Sequence, residues 1–399
     1  MQIELPCKEE CSACGACLAV CPANAIEMKE NSEGFRYPTI REDTCMHCGK
    51  CIQVCRLRQT EEKYKPLEVY AAVGSREALV QKSASGGVFA SLAMTCLNSG
   101  GLVSGAVMDI DGQSVQVYHM LTDSTKDIAR IQGSKYVQSD AWKCYKDIMG
   151  AVRTGKRVLF SGTPCQVSAV KRITGDPDNL ITMDLICHGV PSLRMLNDYV
   201  ELLNRRFCGK VAQVAFRDKS CRKSFCARID VQRQNTFKKL YIRANYLSYY
   251  QYFLDGSIYR DSCYDCPYAC IERIADITIG DYWGIEKFHA EDLAKRNMPE
   301  KTDWSCILVN TEKGKAFLTE YGHALEMYPS EAVYVAKDNR QLNTPSKMPE
   351  QRETIMKIYT ETGYSGIERD FIRRSGGSLR YYWRLYKDLC RNREIGKST

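Results

Sequence analysis

Twenty-one of the 399 residues are cysteine, and eight of them follow one spacing used twice. Cys11, Cys14, Cys17 and Cys21 form C-x2-C-x2-C-x3-C, followed by Pro22; Cys45, Cys48, Cys51 and Cys55 repeat it, followed by Arg56. Three cysteines two residues apart wrap a loop around one cube of iron and sulfide, and the fourth leaves on a helix to ligate the cube of the other copy. The spacing therefore predicts one 4Fe-4S cluster on Cys11, Cys14, Cys17 and Cys55, and a second on Cys45, Cys48, Cys51 and Cys21. Ser12, Ala13, Gly15, Ala16 and Gly49 are small enough to let backbone N–H groups approach the sulfides. Zinc is the rival chemistry, but zinc motifs come as paired C-x2-C knuckles, not as a run of four used twice with this crossover. Cys7 lies outside the pattern, and Arg56 replaces the usual proline without removing a ligand.

More chemistry-bearing residues follow. KRVLFSG reads as a strand ending in Thr163-Pro164-Cys165, a helix cap followed by a first-turn proline. ITMDLI reads as another, ending in Cys187-His188-Gly189. If the two are successive parallel strands, both cysteines leave the same sheet edge, where open α/β sheets bind ligands. Cys263 and Cys266 in SCYDCPYAC add a third C-x2-C, with Cys270 in reserve. Spacing alone leaves open a third cube, a zinc ribbon, or inert buried cysteines. Ser85-Gly86-Gly87 opens a helix and suits a phosphate, although a Gly-Gly turn without a ligand is the commoner case. Lys135 lies between strand-like pieces.

The elements that must position these residues alternate. LEVYAAVG, a helix from Gly87 to about Leu97, LVSGAVMD and VQVYHML precede the two cysteine strands. Helices from Pro164 to Ile173 and from Leu193 to Arg205 follow them in turn, and then the strands VAQVAF and ARIDVQ. This pattern predicts an α/β domain with a mixed or largely parallel sheet. Three units are expected: a small α+β bacterial-type ferredoxin domain over 1–60, the α/β domain over 66–345, and a basic helical region over 346–399. Within the last, Asp370 to Arg393 reads as a basic amphipathic helix broken by Gly376-Gly377. It packs on the domain with its charges in water, or meets a membrane surface or partner.

The N-terminus has no basic start and no apolar h-region, and no run nears the roughly 18 apolar residues of a spanning helix. A reducing cytoplasm is expected, where dense cysteine means metal or redox chemistry rather than disulfides. The net charge is +8, and twelve Lys and Arg residues stand against Asp218 and Asp230 between Arg205 and Arg243. That run suits an anionic ligand, an acidic partner or simply a solvated face; no nucleic-acid motif accompanies it, so nucleic acid is not expected.

SASGGVFASL (83–92), GSKYVQS (133–139), GTPCQVSAVK (162–171), CHGVPS (187–192), SCYDCPY (262–268), ADITIGDYWGIE (275–286) and VNTEKGKAF (309–317) resemble the beta subunit of coenzyme F-420-reducing hydrogenase and its relatives. Those relatives include F-420-dependent dehydrogenase beta subunits and a plant chlorophyll-derivative reductase. The resemblance implies an FAD-binding flavoprotein with a third 4Fe-4S cluster on Cys165, Cys187, Cys263 and Cys266. It places the phosphate of FAD at Ser85, Gly86 and Gly87, with Lys135 and Thr163 lining the flavin. Cys270 departs from the family pattern as an alternative ligand.

The expected function is flavin-dependent iron–sulfur oxidoreduction between a ferredoxin or other low-potential carrier and a small organic substrate. Lys135 is expected to stabilise negative charge on the flavin and His188 to supply a proton, or to be structural. The alternatives are a non-catalytic electron-transfer subunit of a larger redox complex and an F-420-reducing subunit. A homo-oligomer is also compatible with the sequence.

Overall fold

The two cysteine runs fold into two copies of one short unit. In this computed structural model, which describes residues 4–58, 61–112, 114–220, 225–234, 236–295 and 303–391, equivalent positions of the copies take the same backbone. Ala13 (φ 50) and His47 (φ 52) are both left-handed, and a left-handed glycine opens each short helix, Ala16–Val20 and Lys50–Gln53. Between the copies, β1 (Ile26–Glu30) and β2 (Arg36–Ile40) pair antiparallel.

The larger part is built on an eight-stranded sheet. Its strands are β3 (Glu68–Gly74), β4 (Leu102–Ile110), β5 (Val115–Thr122), β6 (Val158–Gly162) and β7 (Leu180–Leu185), and, after an intervening small sheet, three more. That small sheet is an antiparallel trio: β8 (Lys210–Ala215), β9 (Cys226–Arg233) and β10 (Thr236–Arg243). β11 (Ile277–Asp281), β12 (Ser305–Val309) and β13 (Leu325–Pro329) complete the large one, in the order β13-β3-β12-β11-β7-β6-β4-β5. β4, β6, β7 and β11 run parallel; β5 at one end and β12 at the other turn antiparallel. The sheet is mixed with a parallel centre, as the alternation implies.

Residues 158–162 are buried throughout, as a strand covered on both faces must be. Helices Val88–Asn98 and Glu312–Tyr321 cover one face, and helices Trp142–Arg153 and Pro164–Thr174 the other. Pro164–Thr174 starts where the sequence says it should: Thr163 and Gln166 form a capping box around Pro164.

The C-terminal region is not a separate unit in its packing. Residues 352–374 are helical on both sides of a break at Gly363 (φ 66, ψ −169), and a further helix runs Ser378–Arg391 after Gly376-Gly377. Ile355, Met356, Tyr359, Ile367 and Phe371 enter the same core as Tyr199, Tyr249 and Ile229. The break at Gly376-Gly377 is where the sequence puts it. The helical stretch before it begins after Gly363, upstream of Asp370.

Candidate functional site

β6 and β7 are successive parallel strands, with Gly162 opposite Asp184. Cys165 and Cys187 therefore leave the same edge, and the loop after helix Ser248–Leu254 brings Cys263 and Cys266 to it. The four thiols are neighbours. Burial pushes the Cys187 thiol well above its ordinary pKa, and the Cys263, Cys165 and Cys266 sulfurs push it further. Burial likewise takes Cys165 up to about 11 and Cys263 to about 12, with Cys266 adding to both. Four thiols gathered at one sheet edge are a donor set of the kind that a 4Fe-4S cluster takes. Backbone N–H groups of Gly189, Val190 and Tyr268 reach the sulfurs of Cys187, Cys263 and Cys266. Thr163 Oγ1 lies 3.2 Å from Cys165 Sγ. Gly189 has φ 147, and a Cβ there would sit 2.4 Å from the Tyr259 ring, so only glycine lets that ring close the turn after Cys187.

Among the described residues, no three His, Cys, Asp or Glu side chains converge closely enough for a single metal ion. Tetrahedral zinc needs its sulfurs roughly 3.8 Å apart, from Zn–S near 2.3 Å, whereas the thiolates of a cube stand on four separate irons. Cys270 adjoins Cys266, and its Sγ is turned to the Glu272 carbonyl (3.1 Å) and the Lys63 ammonium (3.5 Å).

A buried ion pair fixes the loop. Arg273, 2% exposed, meets Asp184 of β7 at 2.7 Å and donates to the Tyr268 carbonyl at 2.7 Å, tying the Cys263–Cys270 segment to the sheet.

Among the N-terminal cysteines, Cys11 and Cys17 each feel Cys14 and Cys55, Cys51 feels Cys21 and Cys48, and Cys17 also feels Cys51 across the two sets. Cys21, Cys45, Cys48 and Cys51 line one small cleft. The first of these sets faces the sheet-edge thiols: Cys14 is felt at Cys165, and Tyr145 donates to the Cys14 carbonyl at 3.1 Å. Arg56, beside Cys55, donates to the Glu10 carbonyl at 2.5 Å, and its charge is felt at both Cys165 and Cys266.

Farther along the edge is a second cluster of polar groups. Gly87, with φ 77, caps helix Val88–Asn98. Ser85 donates to the Trp304 carbonyl (2.9 Å), and the Gly86 N–H donates to Ser305 Oγ (3.0 Å). Lys219 donates to the Ser85 carbonyl (2.5 Å) and faces Asp303 at 3.9 Å; burial lowers its pKa to about 8. Arg217 pairs with Asp281 at 3.2 Å and lies over the Phe225 and Trp283 rings. His188, the residue after Cys187, is exposed yet crowded by protein; the crowding lowers its pKa and Asp281 opposes that.

Lys135 is turned elsewhere. Its ammonium donates to the carbonyls of Arg130, Ile131 and Gln132, and burial lowers its pKa to about 7.

Arg217 and Lys219 are the site residues that motif reading passed over, since they lie in a long basic run with no distinctive spacing. The run itself is not one charged face. Arg206 pairs with Glu368, Arg228 with Asp218 and Asp230, and Arg243 with Asp388. Arg222 and Lys223 lie outside the described residues.

Family models place these observations. The coenzyme F-420 hydrogenase/dehydrogenase beta subunit N-terminal model matches residues 69–145, its C-terminal model matches 155–332, and a 4Fe-4S dicluster domain matches 10–57. The chain belongs to the coenzyme F-420 hydrogenase/dehydrogenase beta subunit family. An uncharacterized protein of Methanocaldococcus jannaschii is 25% identical over 203 residues, 43% of this chain and 54% of its own length. The chain thus matches about half of that relative. A chain of the F-420-reducing nickel–iron hydrogenase complex from Methanosarcina barkeri overlays 76% of this chain and 96% of itself, at 16% identity and a TM-score of 0.45. Among the described residues, no helix is long and apolar enough to cross a membrane.

Proposed function

We propose that this family member is an iron–sulfur flavoprotein that exchanges electrons between a low-potential carrier and a small organic substrate, with a third cluster on Cys165, Cys187, Cys263 and Cys266. The observation that carries the reading is the adjacency of two thiol sets across one seam, Cys14 beside Cys165. In this reading bound iron–sulfur clusters supply one-electron transfer, and FAD the change between one and two electrons. The chain's own residues hold and screen these groups. Arg273 fixes the Cys263–Cys266 loop, and Arg56 offsets negative charge at the seam. Arg217 and Lys219, which face Asp281 and Asp303, would supply cationic donors beside Ser85-Gly86-Gly87 for a phosphate-bearing ligand. His188, exposed beside Cys187, would hold or release a proton.

A second reading, an electron-transfer subunit without flavin, is favoured by two contacts. The Gly86 N–H is already taken by Ser305, and Lys135 is spent on carbonyls of its own loop. Anaerobic purification with iron and flavin assays separates the two. Lys219→Met tests the flavin site more cleanly than a change at Gly87, whose left-handed backbone would be strained by any side chain. The flavoprotein reading expects near-stoichiometric FAD in the parent and a Kd for FAD about tenfold weaker in Lys219→Met, a loss of roughly 1.4 kcal/mol. Iron should not change. A parent purified with iron and no flavin, unable to take up FAD, decides for the second reading.

A further inference from the structure

Arg260 is the largest fully buried side chain of the described residues, 1% exposed. Its guanidinium meets no carboxylate in an ion pair among those residues. The acids nearby are committed elsewhere: Asp140 to Arg36 at 2.7 Å and Lys143 at 3.4 Å, and Asp261 to Arg352 at 2.7 Å. Nε and Nη2 donate to the neutral Gln138 Oε1 (3.1 and 2.6 Å), and Nη2 also reaches the Arg36 carbonyl (3.2 Å). Nη1 is buried with no hydrogen-bond partner. The Phe35 and Tyr37 rings stand 5.0 and 4.6 Å away. A buried cation left without an anion is expensive, and neutral acceptors with two ring faces offset only part of that cost.

Its position indicates the missing anion. Gln138, which holds the guanidinium, donates onward to the Ser12 carbonyl (2.9 Å) inside the first cysteine loop. On the other side the Cys263 N–H donates to Arg260's own carbonyl (3.0 Å), and Ser262 Oγ donates to the Cys11 carbonyl (3.3 Å). Arg260 is thus gripped between the Cys11 loop and the Cys263 loop, and its charge is felt at both sulfurs.

We propose that Arg260 is the shared counter-charge of two clusters, one on Cys11, Cys14, Cys17 and Cys55 and one on Cys165, Cys187, Cys263 and Cys266, and makes both easier to reduce. The proposal rests on the cluster reading above. A four-thiolate cluster is anionic and gains one negative charge on reduction, so a fixed cation in a dry seam favours the reduced form of each.

The test is an anaerobic redox titration followed by electron paramagnetic resonance on the full chain, with iron measured on every sample. Arg260→Met removes the charge while keeping much of the side-chain length. Gln138→Glu leaves Arg260 in place and pairs it with a carboxylate, and Arg260→Lys keeps the charge without the fork. Arg260→Met and Gln138→Glu should each make the two clusters about tenfold harder to reduce, about 59 mV lower for a one-electron couple. Arg260→Lys should stay close to the parent. Parent potentials in Arg260→Met and Gln138→Glu overturn the proposal. So does a drop in Arg260→Lys equal to that in Arg260→Met, because shape rather than charge would then be responsible. If Arg260→Met fails to load iron, Gln138→Glu decides by the same criterion. Iron near eight per chain, with no signal assignable to the Cys187 set, refutes the third cluster; a lowered potential for the Cys11 set then still supports the action of Arg260, and an unshifted one overturns it.

Discussion

Lys135 shows how a residue can sit in a family motif and still be occupied by its own fold. Its ammonium closes the end of a short helix turn by donating to three carbonyls, while burial brings its pKa to about 7. In the unfolded chain a lysine titrates near 10.4. Between roughly pH 7 and pH 10 the unfolded chain therefore holds a proton that the folded chain has lost, and this group makes stability rise with pH. Below about pH 7 both forms are protonated and its contribution is flat. Lys135→Met should remove that slope. Thermal midpoints under argon, measured from pH 7 to pH 9, should shift in the parent's favour relative to the variant; a constant difference would mean that Lys135 stays charged throughout. Site legibility at this scale followed spacing. The eight ferredoxin cysteines could be picked out because chemistry fixes their intervals; Cys165 and Cys187 were visible only as two strand ends, and their grouping with Cys263 and Cys266 as cluster ligands came from the family resemblance. Arg217, Lys219 and Arg260 could not, because their meaning comes from which distant side chain faces them.

Elements carry the site by their ends. β6 and β7 were readable as strands from continuous burial-type sequence, and helix Pro164–Thr174 from its Thr-Pro start, so the shared edge for Cys165 and Cys187 follows from local signals. The antiparallel additions at the other side of the sheet were not readable in their places. β3 pairs with β12 across the length of the domain, and nothing within residues 68–74 specifies a partner at 305–309. The loop bearing Cys263 and Cys266 depends on Arg273, whose pair with Asp184 has no access to water. Arg273→Met would leave Asp184 charged and alone, at a cost of about 3–5 kcal/mol. Its readout should be local: loss of about four irons per chain with the ferredoxin signals retained. Full iron in a normally stable Arg273→Met protein would show that the loop is held by other contacts.

Across the whole molecule, the C-terminal helices hold the seam as well as the core. Arg352, the first residue of helix Arg352–Arg374, pairs with Asp261 and donates to the Tyr259 carbonyl at 3.0 Å, both neighbours of Arg260. A chain stopped after Glu350 should be insoluble or rapidly proteolysed, since it exposes the Tyr199 and Tyr249 core and frees the segment leading to Cys263; a soluble, iron-loaded product would contradict this packing account. Leu379, Trp383 and Tyr386 remain exposed on the last helix, at 92%, 57% and 61%, so its outer face is not part of that core. The amphipathic character of residues 370–391 was legible, but its division into a buried seam and an aromatic outer face depends on which elements fold back against it. The proposed electron path runs through the sheet-edge thiols acting as a cluster site next to the ferredoxin module. Iron per chain in anaerobically purified parent and Cys187→Ala, with electron paramagnetic resonance of the reduced samples, tests that most directly. Three four-iron cubes predict about twelve irons in the parent and about eight in Cys187→Ala, with the ferredoxin signals intact. About eight in both, with identical spectra, would contradict it.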